Sequence, residues 1–130
     1  LDLFRAMRAA CLAAKARSSD PTALPAQAAL LMATVCGAKA QGRAGECGML
    51  QVGLDADLML LDFTQPQLIP CHNLYSNLVY TAAGADVVLT MVRGKILYAA
   101  GKFPTIDLSS VVETLTQAMP RLFGDNKEES

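Results

Sequence analysis

Three apolar runs constrain what this chain can fold into. Leu58-Met59-Leu60-Leu61 is continuous and of strand length, which suits a strand buried on both faces. Val87–Val92 is rich in β-branched residues, the composition that packs best on a pleated surface. Arg93-Gly94 then leads into Lys95–Ala99, so the last two runs predict a hairpin. Gly101-Lys102-Phe103 closes it. A shorter strand is predicted over Gly48–Gly53, between its two glycines. A sheet with two apolar faces needs cover on both, and the helices this chain offers fall short of that.

The helices follow from a different period. Phe4, Met7, Cys11 and Ala14 mark one stripe of a helix over Asp2–Arg17. Ser18-Ser19-Asp20-Pro21 ends it. A second helix is predicted over Pro25–Lys39, with Ala29, Met32, Ala33, Cys36 and Ala40 on its apolar face and Gly42 as its stop. Asn73–Ala82 predicts a short helix. The last helix is predicted over Leu108–Phe123, capped by Ser109 or Ser110, with Glu113 at capping-box spacing. Its stripe runs through Val111 or Val112, Leu115, Met119 and Leu122, and Pro120 predicts a kink or an early end. Residues 124–130 read as a disordered tail. The methionines at 7, 32, 49, 59, 91 and 119 fall on expected core stripes. The order helix, helix, strands, short helix, hairpin, helix is α+β.

Composition narrows the function classes. The chain has 130 residues, 52% hydrophobic and only 18% charged, richer in apolar residues than an average soluble domain. The excess points to a partner or to missing chain. A net charge of −1, from 11 basic and 12 acidic residues, leaves no basic stripe for nucleic acid. The longest notable apolar run, Ala28–Ala33, is far too short to span a membrane. The start, Leu1-Asp2-Leu3-Phe4-Arg5, lacks an initiator Met and the order of a signal peptide, so the expectation is a piece from inside a longer polypeptide. Cys11, Cys36, Cys47 and Cys71 form no Cys-x-x-Cys pair. They are expected to be buried free thiols in a reducing cytoplasm.

No residue here can be assigned to catalysis or to metal binding. His72 is the only histidine, and a transition-metal site needs three or four ligands. Its neighbour Cys71 lies too close in sequence to converge on the same ion. A hydrogen-bonded loop histidine is the expected state. Asp55, Asp57 and Asp62 flank the 58–61 run, where turn chemistry explains them; an acid/base or Ca²⁺ role is the competing reading. Gly48, Gly53, Gly84, Gly94 and Gly101 match no phosphate loop. Ser76 and Ser109 have no histidine partner nearby in sequence.

The ordered combination of motifs is more specific. Ala33-Thr34-x-x-Gly37-Ala38, a short loop, and Gly48-Met49-Leu50-x-Val52-Gly53-x-x-Ala56-Asp57-Leu58-x-Leu60-Leu61-Asp62 resemble the C-terminal signature of the amidohydrolase superfamily. Asp86–Leu97, ending at Gly101-Lys102-Phe103, resembles that family's final hairpin. His72-x-x-x-Ser76-x-Leu78-Val79-Tyr80 and the opening Leu1–Arg8 resemble the branch of S-adenosylhomocysteine and methylthioadenosine deaminases and atrazine chlorohydrolase-like enzymes.

The resemblance implies a fragment. Residues 1–47 would be the last outer helices of a (β/α)8 barrel and a connecting helix. Residues 48–103 would be the C-terminal strands of a composite β-sandwich, followed by a helix over 104–123. It also implies a parent enzyme that uses a divalent metal, zinc above all, to hydrolyse C–N or C–Cl bonds of nucleoside- or triazine-like heterocycles. The parent's metal ligands would lie before Leu1, so no catalytic or metal residue carries over and this chain alone is expected to be inactive. Its expected partners are the missing N-terminal part or a second copy, besides the parent's small-molecule substrate. A stand-alone accessory module derived from such a piece is the alternative. A small enzyme built on Asp55, Asp57 or Asp62 is a weaker one.

Overall fold

The computed structural model describes residues 2–124. The expected tail, apart from Gly124, lies outside the described residues. Helix α1 (Leu3–Ser18) is capped by Asp2, whose carboxylate accepts from the N–H groups of Phe4 and Arg5. It buries Phe4, Met7 and Cys11, the stripe its spacing predicts. Ser19 ends it in the left-handed region at φ 53°.

The second helix is regular only at its ends. It begins as α2 (Ala26–Leu31), widens into a π turn at Met32–Cys36, and finishes as α3 (Gly37–Ala40). A π turn takes more than 3.6 residues, so it offsets the apolar stripe. Ala26 and Ala29 are buried and Ala33 is half-buried, but the next buried residue is Ala38, five positions on. Met32, Cys36 and Ala40, expected on the inner face, are therefore exposed. The C-terminus closes as a Schellman motif: Gly42, at φ 74°, donates to Lys39 O and Arg43 donates to Ala38 O.

These helices pack with Leu68, Val79 and Ala82 into one small core. Leu68 is the last residue of a 3₁₀ turn at Pro66–Leu68 inside the 62–70 loop. Val79 and Ala82 belong to the expected short helix, here α4 (Leu74–Ser76) running into a second π turn (Asn77–Thr81). Asn73 caps it through Ser76 N–H.

Strands β1 (Leu58–Leu61), β2 (Val87–Val92) and β3 (Lys95–Ala99) form an antiparallel sheet in the order β1-β2-β3. Met59 pairs with Thr90 and Thr90 with Tyr98. The β2–β3 connection has Arg93 at φ 49° and Gly94 at φ 75°, the two successive positive angles of a type I′ turn. Leu61, Phe63 and Val87 join the sheet to the helical core.

Several expectations change here. Gly48–Gly53 is not a strand: Gly48 and Gly53 sit at φ 95° and 94°, Leu54 N–H turns back onto Gln51 O, and Leu50 and Val52 point into solvent. β1 is not buried on both faces, since Met59 and Leu60 are exposed on an edge strand without cover. Of the methionines, Met7 is buried and Met91 half-buried, whereas Met32, Met49, Met59 and Met119 are exposed. Helix α5 (Leu108–Phe123) is capped by Asp107 through Ser110 N–H, not by a serine, and it passes Pro120 without ending.

Gly48 carries a close approach. A Cβ there would lie 2.9 Å from Ala38 Cβ and 3.0 Å from Thr34 O, while one on Gly53 would meet nothing within 4 Å. Both glycines have the same left-handed backbone, so the pair separates strain from clash. Gly53→Ala should cost about 1 kcal/mol and Gly48→Ala about 2–3 kcal/mol or more in chemical denaturation. Equal losses would show that the α3 contact does not matter.

Candidate functional site

The side chains that could carry chemistry are placed by three elements: the α3 cap, the loop before β1, and the β2–β3 turn. The Schellman motif sets Arg43 just beyond α3. From there its Nη2 donates to Asp55 Oδ2 at 3.0 Å and Asp57 Oδ2 at 3.4 Å, and its Nε donates to Glu46 at 3.2 Å. The type I′ turn brings Arg93 to the other side. Its backbone N–H donates to Asp57 Oδ1 at 2.7 Å and its Nε to Asp55 Oδ2 at 3.1 Å. Gly94 N–H donates to Ala56 O.

Asp55 and Asp57 thus serve as acceptors for two guanidinium groups and a backbone amide. Turn chemistry does not account for them; ion pairs with residues distant in the sequence do. Hydrogen bonding to Glu46 foremost, with the charge of Asp57, raises the Arg43 pKa against the opposing effect of desolvation. In the sequence the two arginines merely stand on either side of an Asp-x-Asp pair, a pattern that does not say that they meet.

Asp62 is the carboxylate for which the turn reading holds. It accepts from Thr64 Oγ1 at 2.6 Å, Thr64 N at 2.9 Å and Gln65 Nε2 at 2.6 Å. These bonds, the Thr64 side chain foremost, hold its pKa below the usual carboxylate value. Among the described residues the one buried charged side chain, Asp86, lies at the junction of core and sheet. It accepts from Gln67 Nε2 at 2.6 Å and Ala83 N at 2.9 Å, and its carbonyl accepts from Asp62 N–H.

His72 stands exposed just before α4, and no hydrogen bond of its side chain is found among the described residues. The expected protein partner is replaced by solvent access. Cys71 beside it and Cys36 are exposed as well, Cys47 is half-buried, and only Cys11 is buried, so the expectation of buried thiols holds for Cys11 alone. Ser76 lies in α4 and Ser109 in the first turn of α5. Among the described residues no three of His, Cys, Asp or Glu converge as metal ligands. The chemistry of the set agrees, because each candidate carboxylate is already engaged. These residues do not fit a metal centre.

Two open depressions flank the sheet. One of about 530 Å³ lies among Val87, Thr90, Leu97, Tyr98, Phe103 and Ile106. The other, of about 400 Å³, lies among Met49, Leu50, Leu58, Met59 and Met91, with Asp57 at its edge. Both are mainly apolar, and neither joins a nucleophile to a base. Their linings are those of sheet faces without cover.

Residues 1–97 match the model of the amidohydrolase family. The chain is 44% identical, over 92% of its length, to a 5-methylthioadenosine/S-adenosylhomocysteine deaminase of Moorella thermoacetica. It is 45% identical, over 94% of its length, to a 5'-deoxyadenosine deaminase of Methanosarcina mazei. It spans 28% of the length of each of these curated relatives. The crystal structure of a zinc-bound adenosine deaminase from Xanthomonas campestris matches 92% of the chain with TM-score 0.88 at 32% identity, using 27% of its own length. An atrazine chlorohydrolase from Arthrobacter aurescens, complexed with zinc, matches 90% with TM-score 0.78 at 27% identity, using 26% of its own length. Among the described residues no helix is long and apolar enough to cross a membrane.

Two measurements test the assignments of the carboxylates. Asp86→Ala removes the acceptor of Gln67 Nε2 and Ala83 N–H at a part-buried site, so it should cost about 1–2 kcal/mol in urea unfolding; a loss within error would mean that water replaces the carboxylate. Asp62 has a depressed folded-state pKa. Its contribution is present above the ordinary value of about 3.9 and disappears as pH falls through the folded value. Asp62→Asn should therefore flatten the acid limb of a stability–pH curve; an unaltered limb would remove Asp62 from that role.

Proposed function

Because this chain belongs to the amidohydrolase family, we propose that it is the C-terminal portion of a metal-dependent hydrolase that removes the amino group of adenosine-type nucleosides. The observation that carries this is 44–45% identity across more than nine-tenths of the chain to two deaminases of such nucleosides. The likeness to the triazine hydrolase is weaker in both identity and TM-score, which places dechlorination second. In this reading α1 to α3 are the last outer helices of the parent's barrel and β1 to β3 the C-terminal share of its sandwich. The exposed faces of the sheet support this, since a three-stranded sheet with Met59, Leu60, Val88, Val92 and Ile96 exposed is short of cover.

The metal belongs to the remaining three quarters of the parent, because His72 and the engaged carboxylates of this portion offer it no site. Zinc in the two solved relatives supports zinc as that metal. This chain contributes rigidity. The Arg43 lattice locks the end of α3 to the hairpin, and Asp2 and Arg8 tie α1 to residues 82–84 through Gly84 N–H and Ala82 O.

The full-length protein should release ammonia from 5'-deoxyadenosine, 5'-methylthioadenosine or S-adenosylhomocysteine, and a chelator should abolish the release. The 130-residue chain alone should release none and should take up no stoichiometric zinc. Chloride release from atrazine without any deamination would reverse the order of the two reactions. Tight zinc on the isolated chain, lost in His72→Ala, would overturn the account of this portion.

A further inference from the structure

Helix α5 is an amphipathic helix without a surface to lie on. Apart from half-buried Ala118, its side chains from Leu108 to Leu122 are exposed, and it packs substantially on no other element. Several of its polar side chains find partners within the helix: Thr114 Oγ1 donates to the Ser110 carbonyl, Thr116 Oγ1 to the Val112 carbonyl, and Gln117 Nε2 to the Glu113 carboxylate. Its apolar ones have no such outlet. Leu108, Val112, Leu115, Met119 and Leu122 follow at steps of four, three, four and three, with Val111 and Ala118 widening the stripe along one side. A helix of this length gains most of its stability from packing its apolar face, so something covers that stripe.

Two observations decide what. The stripe spans 15 residues from Leu108 to Leu122, about 22 Å and two heptads, whereas a coiled coil needs about three to four heptads. Pairing α5 with α5 of a second copy would engage five to seven side chains per copy, far from the roughly 20–30 residues a side of a stable interface. The widened stripe is the pattern of a helix facing a globular body. Second, the match to the Xanthomonas structure covers 92% of the chain at TM-score 0.88, more than the residues outside the 16-residue α5 can supply, so it reaches into α5. At least part of the helix thus has a counterpart in a much longer protein, although no element among the described residues packs substantially against it.

We propose that α5 is a strap: its Leu108–Leu122 stripe docks on an apolar surface of the polypeptide preceding Leu1, in the same molecule. This rests on the reading of the chain as part of a longer hydrolase. The segment Phe103–Asp107, with Pro104 and the cap at Asp107, carries the chain from the hairpin to the docked helix.

Hydrogen exchange of the full-length protein and of the 130-residue chain tests this. The α5 amides should exchange slowly in the full-length protein, at least about 100-fold slower than in the isolated chain. The double substitution Leu115→Asp, Met119→Asp should erase that protection in the full-length protein and leave exchange in α1 unchanged in both. Unprotected α5 in the full-length protein would overturn the strap. So would protection already present in the isolated chain together with a dimeric mass that the substitutions reduce to a monomer, since a second copy would then be the cover. Full-length protein that consists of these residues alone would overturn the proposed function along with the strap, whereas the other two failures leave that function standing.

Discussion

Arg43 holds together regions that have little else in common. The helical core is made by α1, α2, Leu68, Val79 and Ala82, and the sheet touches it mainly through Leu61, Phe63 and Val87. A single guanidinium reaches from the end of α3 to Asp55 and Asp57, and those carboxylates in turn receive Arg93 from the hairpin turn. The placement depends on Gly42, whose left-handed backbone closes the helix and aims the next residue toward the loop. Exposed ion pairs taken one at a time contribute little. Here several share acceptors and are reinforced by backbone bonds, and the backbone bonds fix the register of the β2–β3 turn against the loop before β1.

The remaining constraint is apolar surface. A chain with 52% hydrophobic residues has the material for a large core, yet its buried cluster is small. The surplus stands on the sheet faces, in the Met49–Val52 turn and along α5. The chain spans 28% of the length of the Moorella and Methanosarcina relatives.

Much of the fold was legible in the sequence because it depends on local rules. The stripe Phe4, Met7, Cys11 gave α1 its inner face, and β-branched Val87–Val92 with Arg93-Gly94 gave the hairpin and its turn. The errors came where a nonlocal term intervened. Gly48–Gly53 is a short apolar stretch between glycines, as a strand can be, but both glycines adopt left-handed angles and Gly48 passes close to α3. The π turn at Met32–Cys36 moved the inner face from Cys36 to Ala38, and no periodic rule anticipates an extra residue in a turn. Asp107 took the cap expected of a serine because it is the residue with extended backbone just before the first turn.

For the candidate site, composition carried the exclusion and the structure carried the assignment. One histidine among 130 residues and the ordered motifs from Ala33 to Asp62 and from Asp86 to Phe103 are properties of the sequence alone, and they were enough to place the chain in its family and to leave a metal centre unassigned. That Asp55 and Asp57 answer Arg43 and Arg93, that Asp86 is buried between Gln67 and Ala83, and that α5 stands uncovered were decided only by tertiary structure. The reason is distance along the chain. Hydrogen-bond and helix periodicities act over a few residues and are written in local order, whereas ion pairs and burial join residues 12 to 38 positions apart and depend on how all the elements between them pack.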